Sequence, residues 1–293
     1  VNSECASIAS PPFALLEFSG PERNDFLHRL LSNDLMLQPG QATSAYYLSV
    51  LGRPLAQFWI FQGTESSWLV CPDSLAQTGL QELDKMHFGE KLSMADRTDQ
   101  WHATLVLGAG RTAWLSQELA LPAPPPWGLQ QSAETLWCRF PWLASGSDLI
   151  WTRQPFASPL PDASHRWELE RIQACRPWPC DWGEKTLLLE LAEATDYVDG
   201  KGCYPGQEVV ARTLHRGHIN RHICYVSGPA PAPAAGTRLR WSDKEVGWIS
   251  SSVSDQEQAH CLAFLRREAW EPGTPLDRED GGSLQVCRPR RED

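Results

Sequence analysis

From Arg221 to the end of the chain, short apolar-rich runs recur at turn-separated intervals: Arg221 to Val226, Thr237 to Trp241, Glu245 to Ser250, Cys261 to Leu265 and Leu284 to Cys287. Short strands at such spacing cannot each bury a face alone, so they predict a small all-β barrel or sandwich over 221–293. The preceding 220 residues read differently. Ser19-Gly20-Pro21-Glu22 has capping-box spacing ahead of Phe26, Leu27, Leu30 and Leu31, which predicts an amphipathic helix. Ala45 to Val50 and Leu55 to Phe61 flank Leu51-Gly52-Arg53-Pro54, which predicts a hairpin.

Trp68 to Cys71 predicts a strand; Leu75, Leu80, Leu83 and Met86 predict a helix ending near Gly89; Leu92 to Ala95 predicts a return strand. After the proline-rich connection Pro122 to Pro126, short strands are expected around Trp137, Phe140, Trp142, Leu149 and Trp151, and a helix over Arg166 to Cys175 stopped by Pro177 and Pro179. The order of elements is that of an α+β protein rather than of alternating βαβ units. The expected division is a domain at 1–220, in two subdomains (1–120 and 121–220), followed by the β-barrel domain at 221–293.

Composition narrows function. The 293 residues are 42% hydrophobic and carry a formal net charge of −10, which disfavours wrapping nucleic acid over the whole surface. No apolar run approaches the roughly 20 residues that cross a bilayer, so a cytoplasmic location without membrane contact is expected. Nine cysteines without CxxC pairs fit neither a secreted disulfide framework nor a zinc ribbon. Cys175 and Cys180 flank a rigid Pro-Trp-Pro turn and are taken as structural.

The segment that carries chemistry is Lys201-Gly202-Cys203-Tyr204-Pro205-Gly206-Gln207-Glu208, a glycine-punctuated loop leading into a helix over Val209 to Leu214. Gly202 and Gly206 open backbone conformations closed to other residues. Cys203 has a cation two residues away and a helix start just downstream, both of which favour thiolate; the alternative is a small core hydrophobe. Glu208 is either a helix cap and ion-pair partner of Arg212, four residues on, or part of an anion site. His215, His218 and His222 would share a helix face only if one helix persisted through Gly217. Arg212, Arg216 and Arg221 make the most basic stretch of an acidic chain and fit a solvated face, an anion or RNA. Trp167, Trp178 and Trp182, among 14 tryptophans, are candidates for a cofactor wall.

The octapeptide, continuing through Val209-Val210-Ala211-Arg212, resembles the signature of YgfZ-type folate-binding proteins and their mitochondrial iron–sulfur assembly relatives, of the glycine-cleavage T-protein (aminomethyltransferase) superfamily. The Phe26-Leu27 to Asn33-Asp34 segment and the Gly52 hairpin agree in order. The resemblance implies a T-protein-like folate-binding domain of mixed sheets and helices, a small C-terminal β-barrel, and tetrahydrofolate or a one-carbon derivative as cofactor. It implies support of iron–sulfur cluster assembly or repair, with tRNA modification among its reach, and iron–sulfur client enzymes or assembly factors as partners. Lys201, Gly202, Cys203, Tyr204, Gly206, Gln207, Glu208 and Arg212 match the motif as cofactor-binding positions, with Cys203 and Lys201 the expected reactive pair.

Two departures qualify that inheritance. Ala56 and Gln57 stand where the T-protein has an acidic pair, so aminomethyl transfer, which needs a titrating carboxylate near the folate amine, is not expected. Gln173 stands where the family has a glutamate toward the pterin, and Glu190 is the acidic position at the family-like distance before the motif. A folate-dependent aminomethyl or one-carbon transferase, and an RNA- or client-binding scaffold that ignores folate, are the alternatives.

Overall fold

The computed structural model describes residues 5–140, 142–143 and 145–289. The chain divides into two compact units, one of Val1–Val50, Pro54–Ser164 and Thr195–Gln207, the other of Leu51–Arg53, His165–Ala194 and Glu208–Asp293.

The first unit holds two five-stranded antiparallel sheets. Its strands are β1 (Ala6–Ala9), β2 (Phe13–Ser19), β3 (Ala42–Leu48), β4 (Pro54–Gln62), β5 (Ser66–Pro72), β6 (Ser93–Asp96), β7 (His102–Leu107), β8 (Gly128–Gln131), β9 (Thr135–Phe140) and β10 (Ser147–Thr152). Its helices are α1 (Arg23–Leu30), α2 (Asp73–Asp84) and α3 (Arg111–Leu119). One sheet has the order β3-β4-β5-β2-β6, the other β1-β7-β10-β9-β8.

The expected hairpin is β3–β4, pairing Ala42 with Phe61 through Leu48 with Pro54. Strand alternation sends Ala56, Phe58 and Ile60 into a core shared with Phe26 and Leu27 of α1 and Ala76 and Leu83 of α2. Gln57, Trp59 and Phe61 take the opposite face, where Trp59 meets Phe13 and Trp142 edge-on at 5.7 and 5.2 Å. Both faces of β4 are therefore buried, which is why its sequence runs apolar instead of alternating. In the second sheet the buried Asp148 carboxylate is held by Arg111 at 2.6 Å and Trp137 Nε1 at 2.9 Å.

Several local expectations change. Ser19 ends β2, and α1 starts after Glu22 with no side-chain cap bond, so the capping box does not form. Arg23 instead donates to the Gly20 carbonyl at 2.8 Å. Met86 lies beyond the end of α2 and is exposed. Trp142 lies between β9 and β10, not in a strand.

The second unit comprises α4 (Ser164–Gln173, its first residue in the other unit), α5 (Leu188–Leu191), α6 (Gln207–Arg216, likewise), and strands β11 (Arg221–Pro229), β12 (Arg238–Trp241), β13 (Lys244–Asp255), β14 (Gln258–Arg266), β15 (Pro275–Arg278) and β16 (Ser283–Pro289). The six strands close into a barrel, β11-β14-β13-β12-β15-β16, around Val226, Leu239, Ile249, Leu265 and Leu276. Closure removes the free edges of a sheet this small. The strand missed from sequence, β15, has only Leu276 buried and two charged residues after it, too little pattern to register.

Asp181, whose side chain is fully buried, fastens the α4–barrel region: it accepts from Trp178 N (2.7 Å), Ser250 Oγ (2.6 Å), Ser251 Oγ (2.5 Å) and Arg171 Nη1 (3.1 Å). None of the nine cysteines forms a disulfide; Cys180, Cys203 and Cys287 are exposed and the other six buried. The Cys175 thiol donates toward the Ile223 carbonyl at 3.7 Å.

Candidate functional site

The motif loop is positioned by the chain just after α1. Asn33 Nδ2 donates to the carbonyls of Thr195 and Ser44, both at 2.7 Å. Ser32 Oγ donates to the Asp196 carbonyl at 2.7 Å, Ser44 Oγ donates to the Asp196 carboxylate at 2.6 Å, and Val198 N donates to the Ser32 carbonyl at 3.0 Å. These bonds are largely buried, so the segment entering the motif is fixed before the motif begins. Sequence reasoning matched Asn33-Asp34 to the family but missed this anchoring; its only trace was a polar Ser32-Asn33 pair directly after an apolar helix face.

Beyond Asp196 the chain turns through Gly200, Gly202 and Gly206, with φ of +78°, +117° and +80°. These are left-handed or more strained values that disfavour any side chain. Within this loop the Lys201 ammonium donates to the His28 carbonyl and lies 5.4 Å from the Tyr204 ring centroid. Burial lowers the Lys201 pKa to about 8, with Asp34 opposing the shift. Tyr204 is buried, and desolvation, with Asp199 and Tyr197 adding, raises its hydroxyl to about 12. Cys203 is exposed between them. It is not a core hydrophobe, so of the two sequence readings of this thiol the buried one is excluded.

Gln207 opens α6, its N–H donating to the Tyr204 carbonyl at 3.2 Å. Glu208 and Arg212 pair at 2.7 Å on the exposed face of α6, a plain (i, i+4) contact worth a few tenths of a kcal/mol. The helix ends at Arg216, so His218 lies off it, and His222 enters β11 buried. The three histidines share no helix face.

In the second unit Glu190 accepts from Arg221 (2.7 and 3.0 Å) and from Leu187 N (2.9 Å), so its carboxylate is already engaged at the start of α5. Gln173 ends α4 half-buried, its carbonyl accepting from Arg288 at 2.7 Å. Trp167 and Trp178 pack edge-on at 5.0 Å against each other, with Arg171 over Trp167.

On the first unit one further polar group stands out. Gln57, opposite Tyr46 in the β3–β4 ladder, is 1% exposed, and its Oε1 accepts no hydrogen bond within the described protein. A buried amide oxygen left so costs about 1–3 kcal/mol. Ala56 is turned the other way, into the apolar core. Of Ala56 and Gln57 only the latter is polar; its amide oxygen can accept a hydrogen bond, but the amide does not take a proton at neutral pH.

No family model matches the chain. The crystal structure of the glycine cleavage system aminomethyltransferase T from Bartonella henselae matches 98% of this chain and 86% of its own, with a TM-score of 0.81 at 16% identity. By fold the chain is thus of the T-protein class. Its sequence relatives narrow this: it is 25% identical over 295 residues to the tRNA-modifying protein YgfZ of Klebsiella pneumoniae (94% of this chain, 89% of that one). It is 27% identical over 252 residues to that of Photorhabdus laumondii (80% and 74%). The chain thus has a T-protein-like fold and is similar in sequence to proteins named YgfZ. It is also similar to a putative chloroplastic transferase of Arabidopsis thaliana, 25% identical over 291 residues and 90% of this chain, and it spans 66% of that protein's length. Among the described residues no helix is long and apolar enough to cross a membrane.

Proposed function

We propose that this chain binds tetrahydrofolate or a one-carbon derivative in its first unit and works in iron–sulfur cluster assembly or repair linked to tRNA modification, not as an aminomethyltransferase. The observation that carries the folate reading is the Gln57 amide oxygen, buried without a donor. Such an atom fits a ligand that brings its own N–H groups, and a reduced pterin is rich in them. Tetrahydrofolate, when bound, supplies amine nitrogens that carry one-carbon units. Gln57 accepts a hydrogen bond from it, and Lys201, held at a lowered pKa beside the Tyr204 ring, supplies a cation that can shed its proton near neutral pH. Cys203 presents its thiol outward, within reach of a client enzyme or a cluster. The likeness to proteins named as tRNA-modifying supports the assignment. Aminomethyl transfer lacks its proton-managing carboxylate, because neither Ala56 nor Gln57 titrates.

Calorimetric titration with tetrahydrofolate tests this. Saturable binding at or below about 100 μM, roughly −5.5 kcal/mol, is expected. Gln57→Leu removes the acceptor at similar volume and weakens binding about tenfold or more. Cys203→Ala keeps folate binding but fails to restore iron–sulfur enzyme activity in cells lacking the protein. A folded wild type that binds no folate sinks the reading.

A further inference from the structure

We propose that the second unit carries a nucleotide-binding pocket, in which a nucleobase stacks on the Trp248 and Trp182 walls and the phosphate meets Arg238 and Lys185. The pocket has a volume of about 570 Å³, within the range of small-molecule sites. All its lining residues belong to the second unit, whereas Gln57 and Lys201 to Gln207 belong to the first.

One wall is built by strand alternation. Ile249 and Leu265 point into the barrel core, so their neighbours Trp248 on β13 and Phe264 on β14 point out of it. Their rings stack at 5.2 Å with planes 24° apart. Arg221 lies 5.2 Å from the Trp248 ring and 5.7 Å from that of Phe264, locked by its two bonds to Glu190. The aromatic surface is thus backed by a cation that is already neutralised, and it is held rigid. The 180–186 segment also lines the pocket, and its Trp182 follows the saturated Asp181 anchor. A site whose walls are fixed beforehand loses little entropy on binding.

The charges at the rim define the ligand. Arg238 lines an adjoining recess that shares Gly236 and Trp248 with this pocket; it is half-exposed, 6.0 Å from the Trp248 ring, and its ion pair among the described residues, to exposed Glu245, is long at 3.4 Å. Exposed pairs of this kind contribute little, so the guanidinium is available to an anion. Lys185 is exposed on the 570 Å³ pocket itself. Glu184, the pocket's other exposed charge, is an acceptor suited to an exocyclic amine. A flat ring with an amine and a compact anion is the description of an adenine or cytosine nucleotide, and bases stack on aromatic side chains. Gly183 lines the pocket, and a Cβ there would meet nothing within 4 Å on a backbone whose φ does not demand glycine, so a larger side chain can be introduced at this position without strain.

The test is titration of the full chain with adenosine 5′-monophosphate, adenosine, inorganic phosphate and a hexa-adenylate RNA, followed by calorimetry. Saturable binding of the monophosphate below about 1 mM is expected, with adenosine weaker and phosphate alone not bound. Gly183→Leu fills the pocket without backbone strain, and Arg238→Gln removes the anion partner. The first should weaken binding at least about tenfold and the second about three- to tenfold, while Gln57→Leu leaves it unchanged. Hexa-adenylate bound at least as tightly as the monophosphate supports a nucleotide within RNA, and markedly weaker oligonucleotide binding supports a free one. No saturable binding up to about 5 mM, or binding indifferent to Gly183→Leu, overturns the proposal.

Discussion

Lys201 shows how much of a motif residue's behaviour comes from its surroundings. On sequence it is a cation near a cysteine; in the fold its ammonium turns to the His28 carbonyl and the Tyr204 ring, and burial lowers its pKa to about 8. A lysine whose folded pKa lies below its unfolded value binds fewer protons when folded, so the cost of its buried charge is greatest below pH 8. That cost is relieved as pH rises toward the unfolded value near 10.4. Stability should therefore gain a rising component between about pH 8 and 10 that Lys201→Met lacks, measured by urea unfolding across that range. Mass-spectrometric acylation should likewise show Lys201 reacting with a midpoint near pH 8, well below exposed lysines; a midpoint shared with the exposed lysines would remove it from the reactive pair. Glu190 and Glu208 show the opposite: both carboxylates are engaged by arginines within their own unit, Arg221 and Arg212, partners that a motif comparison does not see.

At the scale of elements, the packing of α2 on β4 rests on a glycine in mid-helix. A Cβ at Gly79 would come within 2.7 Å of Phe58 Cζ and 3.2 Å of Ala56 Cβ. Alanine is intrinsically better than glycine in a helix by about 1 kcal/mol, so on propensity alone Gly79→Ala should stabilise. Phe58 and Ala56 are fully buried, and overpacking costs about 1–3 kcal/mol. The steric term wins, and chemical denaturation should show Gly79→Ala less stable than wild type. A stabilised variant would mean that helix and strand separate freely. The small residue at Ala56, where an acidic side chain was the family expectation, belongs to this same close contact.

At the scale of the whole molecule, the distribution of thiols can be read out in one experiment. Cys203, Cys180 and Cys287 are exposed, whereas the other six are buried, with Cys261 pushed up to about 12 by desolvation and Cys224 also well above its ordinary value. Thiolate is the reactive form, so iodoacetamide on the native protein should label those three and reach the remaining six only after denaturation. Early labelling of Cys224 or Cys261 would mean the barrel opens locally.

The sequence by itself determined the elements whose signal is local. The Gly52 hairpin, the helix over Val209 to Leu214 and most barrel strands are legible because alternation, turn residues and glycine act over a few neighbours. The motif segment was legible as a glycine-punctuated loop because Gly202 and Gly206 take positive φ. Tertiary structure alone decided the rest. The short strand β15 gains its identity from its two barrel neighbours, β12 and β16; the Ser32-Asn33 anchor bonds residues some 160 positions away; and Glu190 meets Arg221 only once α5 and β11 are in place. The same holds for Gln57, whose unpaired oxygen is created by burial on a strand with two covered faces. Periodicity encodes which face of an element is apolar, but it carries no information on what another element brings to that face, and the candidate sites are made of such meetings.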